Sequence, residues 1–220
     1  MAAHLRRPRP GRTNPRMDSA GAQTKGRARL PPEVRRDQIL DAAEALLQAQ
    51  GGLPLPLDEL GRAAGVSKAL IYAYFPDQHA LANALLRRRL AALEDGGLVD
   101  AASDPDMTAA AQACADIYFS DIAAAGPVAH IVLRDPFMAG RVDPEVVRLR
   151  DRVSRRLART ARRALRLSAK EAVAALSLMT TIPEEAGRMV QAGDLSPERG
   201  RELTARLVAA SLQALRPEDA

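Results

Sequence analysis

Between Pro56 and Pro76 the chain carries a helix stop and a helix start only two residues apart, which leaves room for two short helices and a tight turn. Pro56 has the fixed φ of a first helical turn, and Leu57, Leu60 and Ala64 follow at helical spacing. Gly65 can take the left-handed conformation that ends this helix. Ser67 can then accept from backbone N–H groups two or three residues on and so cap a second helix, which Pro76 closes after about two turns. Two short helices joined by a glycine-containing turn form a helix-turn-helix, whose second helix enters the DNA major groove.

The aromatic residues concentrate at the same place. The chain has three Tyr, three Phe and no Trp, yet Tyr72, Tyr74 and Phe75 lie within four residues. The helical period predicts Val66, Ile71 and Phe75 to face inward, leaving Lys68, Ala69, Tyr72, Ala73 and Tyr74 on the surface. A tyrosine can pack against a thymine methyl or a sugar while its hydroxyl donates to a phosphate. Small Ala69 and Ala73 let the backbone approach the bases.

Upstream, Pro31-Pro32-Glu33 begins a helix whose inner face is Ile39, Leu40, Ala43, Leu46 and Leu47, stopped by Gly51-Gly52. Downstream, Asp77 caps a fourth helix running through Leu81, Leu85 and Leu86 towards Leu93. Residues 1–36 hold ten Lys/Arg against Asp18 and Glu33, although the whole chain carries only +5. Residues 1–30 are therefore expected to be a disordered basic arm, either a plain leader or one drawn to polyanions by counterion release.

The stretches "RRDQILDAAEALLQAQGG" and "LDELGRAAGVSKALIYAYFPDQHALANALL" closely resemble the DNA-binding domain of the TetR family of transcriptional regulators, over residues 33–93. The resemblance implies a homodimer on a palindromic operator that a small-molecule effector releases. It places Ser67, Lys68, Ala69, Leu70, Tyr72, Ala73 and Tyr74 at the DNA, with Gln78 and His79 facing a phosphate from the fourth helix. Two departures stand out. Leu55-Pro56 occupies the start of the second helix, where the family has Thr or Ser, and Leu70 replaces a small or polar residue.

Residues 94–220 read as a larger helical domain for effector binding and dimerisation, with helices over 106–125, 128–138, 143–167, 169–192 and 196–215 and no alternating strand pattern. The fold class is all-α, with a three-helix helix-turn-helix domain over 31–93. Leu176 and Ile182, with Leu203, Leu207, Ser211 and Leu215, form apolar stripes on the last two helices; they suit intramolecular core, while the resemblance favours a dimer seam. Tyr118, Phe119 and Phe137 are the only aromatics beyond 93. A cavity lined by Tyr118, Phe119, Ile122, Ile131, Met138 and Met179 would favour an aliphatic effector, and Arg156 at its mouth an anionic one. Arg156 belongs to the run "RLRDRVSRRLARTARRALR", residues 148–166, with nine arginines and one acid, which otherwise reads as a solvated face.

Enzymatic chemistry finds little to work with. His4, His79 and His130 lack metal-ligand spacing, Cys114 has no evident partner, and no phosphate-binding glycine loop occurs, so neither metal nor cofactor is expected. Glu184-Glu185 follows Pro183 and suits the first turn of a helix. No uncharged apolar run approaches the roughly 18 residues of a membrane span, no secretory signal is evident, and one cysteine fits a reducing cytoplasm. The expected function is a ligand-responsive homodimeric repressor. The alternative is an architectural DNA binder with little sequence preference.

Overall fold

The computed structural model describes residues 30–217, so the expected arm lies outside the described residues except at its last position. From Pro32 the chain forms one compact unit of α1 (Pro32–Gln50), α2 (Leu57–Ala64), α3 (Lys68–Tyr74), α4 (Gln78–Asp95), α5 (Leu98–Ala101), α6 (Met107–Ala125) and α7 (Val128–Arg134). A 3₁₀ turn (Pro136–Met138), α8 (Pro144–Ala164), α9 (Ala169–Met179), α10 (Thr181–Ala192) and α11 (Pro197–Ala214) complete it. The fold is all-α, and no helix among the described residues is long and apolar enough to cross a membrane.

Two expected helices are divided. The span 169–192 breaks at Thr180, because Pro183 has no N–H to give the carbonyl four residues back. The hydroxyls of Thr180 and Thr181 satisfy the carbonyls of Ser177 and Leu178 at 2.8 and 2.6 Å. The span 128–138 breaks at Asp135-Pro136, where the Asp135 carboxylate accepts from the Phe137 N–H at 2.9 Å. The single-turn α5 carries no clear periodic signal in the sequence.

The first core cluster joins Ile39, Leu40 and Leu47 of α1 with Leu60, Ile71, Leu81, Leu85 and Leu86, all essentially buried. It continues through Val128 and Val132 of α7, Met138, and Val146 of α8, so the core under the helix-turn-helix runs past residue 93 into the following helices. Fully burying each such aliphatic side chain stabilises the fold by about 1.5–3 kcal/mol. Buried Asn83 on α4 fastens the start of α8: its amide donates to Arg141 O and accepts from Asp143 N, both at 2.8 Å. A second cluster packs Met107, Ala111 and Ala115 against Ala158, Ala161, Ala172, Val208 and Leu212.

An ionic network crosses between α1, α4 and α6. Arg89 Nε lies 3.3 Å from Glu44 Oε1 and its Nη1 3.4 Å from Asp121 Oδ1, while Arg88 Nη2 lies 3.2 Å from Glu44 Oε2 and also pairs with Asp41. Burial pushes the carboxyls of Glu44 and Asp121 above their ordinary values, and the neighbouring arginines only partly oppose it.

Candidate nucleic-acid interface

The turn between α2 and α3 is built as its residues dictate. Gly65 has φ +62° in the left-handed region, and the Val66 N–H closes back on Gly61 O at 2.9 Å. Ser67 Oγ accepts from the Leu70 N–H at 3.2 Å, and the Asp77 carboxylate caps α4 by accepting from Ala80 N at 2.7 Å. Ile71 and Phe75 face the core, and the Arg36 guanidinium lies over the Phe75 ring at 5.4 Å.

On the outer face of α3, Lys68, Ala69, Tyr72 and Ala73 are exposed, Tyr72 by 46%. Lys68 lies 3.5 Å from Asp58, but both side chains are well solvated, so this pair holds the ammonium only weakly. Ser67 is exposed beside them. Leu70 is half-buried, as is Tyr74, which packs on the core with its ring 6.5 Å from that of Phe75. Tyr74 is thus partly a core residue, because a seven-residue helix seated on Ile71 and Phe75 has little outward arc to spare. The cleft between α2 and α3 has a volume of about 360 Å³ and adds Arg62, which helical period alone does not single out although it stands three residues before the turn glycine.

The start of α4 differs from expectation. Gln78 does not point outward: its Nε2 donates to Leu55 O at 2.6 Å and its Oε1 accepts from Leu55 N at 3.2 Å. Buried Leu55 precedes α2, where Pro56 provides no side-chain cap, and the Gln78 amide satisfies the backbone there instead. His79 stacks on Phe137, with ring centroids 4.2 Å apart and planes within 3°. Both side chains are thus engaged within the protein, Gln78 with the backbone before α2 and His79 with Phe137.

The residues assigned to an effector cavity are divided among different parts of the core. Phe119 and Ile122 are buried and closely approached by α11 and α10: a Cβ on Gly200 would stand 2.9 Å from the Phe119 ring, and one on Gly187 2.8 Å from Ile122. Ile131 and Met138 belong to the first core and Met179 to the second. Arg156 donates to Val99 O at 3.0 Å and Ser103 Oγ at 2.8 Å, which ties α8 to the α5 segment. Tyr118 joins a polar cluster: its hydroxyl lies 3.5 Å from Glu184 Oε2, and His130 Nδ1 lies 2.7 Å from Glu184 Oε1. Burial, reinforced by Glu184, pushes the Tyr118 hydroxyl far above its ordinary pKa. Glu184 does sit in the first turn of α10. The Cys114 thiol is pushed up to about 11 by burial, which keeps it a poor nucleophile.

Of the expected seam residues, Leu207 is 51% exposed, whereas Leu176, Ile182 and Leu215 pack partly buried against the second core. Leu203 and Ser211 are half-buried, and Ser211 Oγ donates to Leu207 O at 2.8 Å. The structure adds Val173 and Leu178 on α9, exposed by 53% and 71%. Ala172 is the one fully buried residue of α9.

Residues 39–85 match the sequence profile of "Bacterial regulatory proteins, tetR family". An uncharacterized HTH-type transcriptional regulator of Mycobacterium tuberculosis is 39% identical over 56 residues, which are 26% of this chain and 28% of that protein. The match thus spans less than a third of the relative's length. A TetR-like transcriptional regulator from Rhodococcus sp. RHA1 superposes with a TM-score of 0.62 at 21% identity, covering 84% of this chain and 97% of the other. The fatty acid degradation regulator FadR of Bacillus halodurans gives 0.59 at 18%, covering 85% and 96%. LfrR of Mycobacterium smegmatis, solved with proflavine, gives 0.59 at 20%, covering 81% and 96%. At these identities the structural likeness is one of fold.

Proposed function

We infer that this chain, a TetR-family transcriptional regulator, works as a ligand-responsive homodimeric repressor that reads a palindromic operator with α3. One observation carries the reading: Lys68, Ala69, Tyr72 and Ala73 form an exposed, small-residue and tyrosine face on a helix locked from behind by Ile71 and Phe75. Lys68→Ala should make the slope of log K against log salt shallower by about one unit. Tyr72→Phe should weaken operator binding about fivefold, the worth of one hydroxyl hydrogen bond of about 1 kcal/mol. Selection of bound duplexes from a random pool, followed by footprinting, tests the whole reading. Recovery of no preferred sequence would leave an architectural DNA binder.

For the effector we propose an aliphatic molecule, with Tyr118 as its one aromatic neighbour. Phe119 is covered by Gly200 and Phe137 is taken by His79, so little remains to stack on a flat ligand. The fold itself serves a fatty acid degradation regulator and a protein holding proflavine, so the lining decides the ligand class. Binding must part helices that are close-packed in this arrangement, and the ligand releases DNA only by the difference in its affinity for the two arrangements. In a thermal-shift screen, medium-chain apolar compounds should stabilise the protein and weaken operator binding. Stabilisation and release by cationic aromatic dyes alone would contradict the aliphatic assignment.

A further inference from the structure

The arginine run on α8 divides sharply by partner. Arg148, Arg150 and Arg152, in the first half, lie within 4.0 Å of Glu145, Asp151 and Glu94. Arg156 is tied to α5. Arg155, Arg159, Arg162 and Arg163 are all exposed and have no carboxylate partner among the described residues, and no other helix gathers as many such arginines along one face. At 3.6 residues per turn these four fall within an arc of about 100° and along about 12 Å of helix. Arg162 and Arg163 complement the negative end of the helix dipole, but Arg155 and Arg159 lie too far from it for that explanation.

We propose that the C-terminal half of α8 is a second, sequence-independent binding surface for duplex DNA, separate from the reading helix. This half is seated on the second core through Ala158 and Ala161, whereas α3 is seated on the first, so the two surfaces belong to different parts of the fold. Every cation in the stripe is a guanidinium, whose planar fork matches two phosphate oxygens. Successive guanidinium groups one helical turn apart meet a strand that presents one phosphate for about every 3.4 Å of duplex axis, so each finds one within reach. The exposed residues beside them include Arg152, Ser154, Ala164 and Arg166, with partly exposed Asp151 one turn before Arg155, and the apolar face of α8 is spent on the core, so the helix has no exposed large apolar side chain to enter a lipid bilayer. The stripe lets one regulator hold flanking DNA or a second duplex while α3 reads its site.

The test uses the full chain with Arg155→Gln, Arg159→Gln and Arg162→Gln combined. On a duplex without an operator, the slope of log K against log salt should become shallower by about 2.7, or about 0.9 for each guanidinium withdrawn from a phosphate, with operator preference retained. Co-capture of a fluorescent duplex by protein bound to an immobilised operator should fall at least tenfold. The corresponding Lys triple should keep most of the slope, and single Arg155→Gln should remove about 0.9 of it, a milder change that guards against loss of fold. An unchanged slope in the Gln triple overturns the proposal. So does loss of binding to phosphatidylserine vesicles or to polyglutamate with DNA binding intact, which would assign the stripe to a membrane or an acidic protein. Loss of operator preference through Lys68 or Tyr72 bears on α3 alone and is read separately.

Discussion

Arg89→Met is expected to destabilise the fold by about 3–5 kcal/mol, because it strands Asp121 as a buried, uncompensated charge and leaves buried Glu44 with Arg88 as its remaining cation. The three side chains are 13%, 9% and 10% exposed, so water offers little relief. Replacing the group as a whole, by Glu44→Leu, Arg89→Met and Asp121→Leu, should recover most of the loss, since well-packed apolar residues substitute for a buried ionic group at small cost. Denaturant unfolding of the two variants checks both statements. The pH dependence has a definite sign. Both carboxyls have folded-state values raised above their ordinary 4.5 and 3.8. The folded protein therefore binds protons more readily than the unfolded chain in the window above those ordinary values, and these groups favour folding increasingly as pH falls through it. The deficit of Arg89→Met should accordingly shrink between neutral pH and that window. A deficit that grows on acidification would mean that the carboxylates are stabilised, not strained, by their surroundings.

Val173→Glu combined with Leu207→Glu should convert the proposed homodimer to monomers with the fold retained. Both side chains are about half exposed, so in an isolated chain the new carboxylates remain solvated, whereas in a seam they would be buried without partners. A monomer engages one half-site at a time and loses the effective concentration that joins two reading helices, so affinity for a palindrome should drop by at least about a hundredfold. Sedimentation measures the assembly and titration of full and half operators measures the linkage. Leu215→Glu is the contrast: it is packed on the second core and should cost stability instead of dissociating a dimer. A dimer that survives the Val173/Leu207 pair would move the seam elsewhere.

The course of α1 through α4 is legible in the sequence because each boundary there depends on a local interaction. Gly65 takes the left-handed turn, Ser67 and Asp77 accept from N–H groups three residues on, and Pro76 stops α3. The inward period of Ile71 and Phe75 leaves Lys68, Ala69, Tyr72 and Ala73 outside for the same local reason. The α9–α10 break is present as Thr180 and Pro183, but an apolar period running across both helices conceals it. Val173 and Leu178 stand exposed on α9, before that break.

The sequence by itself determined an all-helical chain, the position of its helix-turn-helix and the outward face of α3, since caps, turns and helical period act over three or four residues. Tertiary structure alone decided the packing partners of Gln78, His79, Tyr74, Arg156 and the residues assigned to an effector cavity. Gln78 meets Leu55 twenty-three positions away, and His79 finds Phe137 across α4 and the 3₁₀ turn. Phe119 is covered because Gly200 lets α11 approach it. A polar or apolar side chain takes whichever partner close packing brings to it, and at such separations no periodicity along the chain encodes which partner that will be.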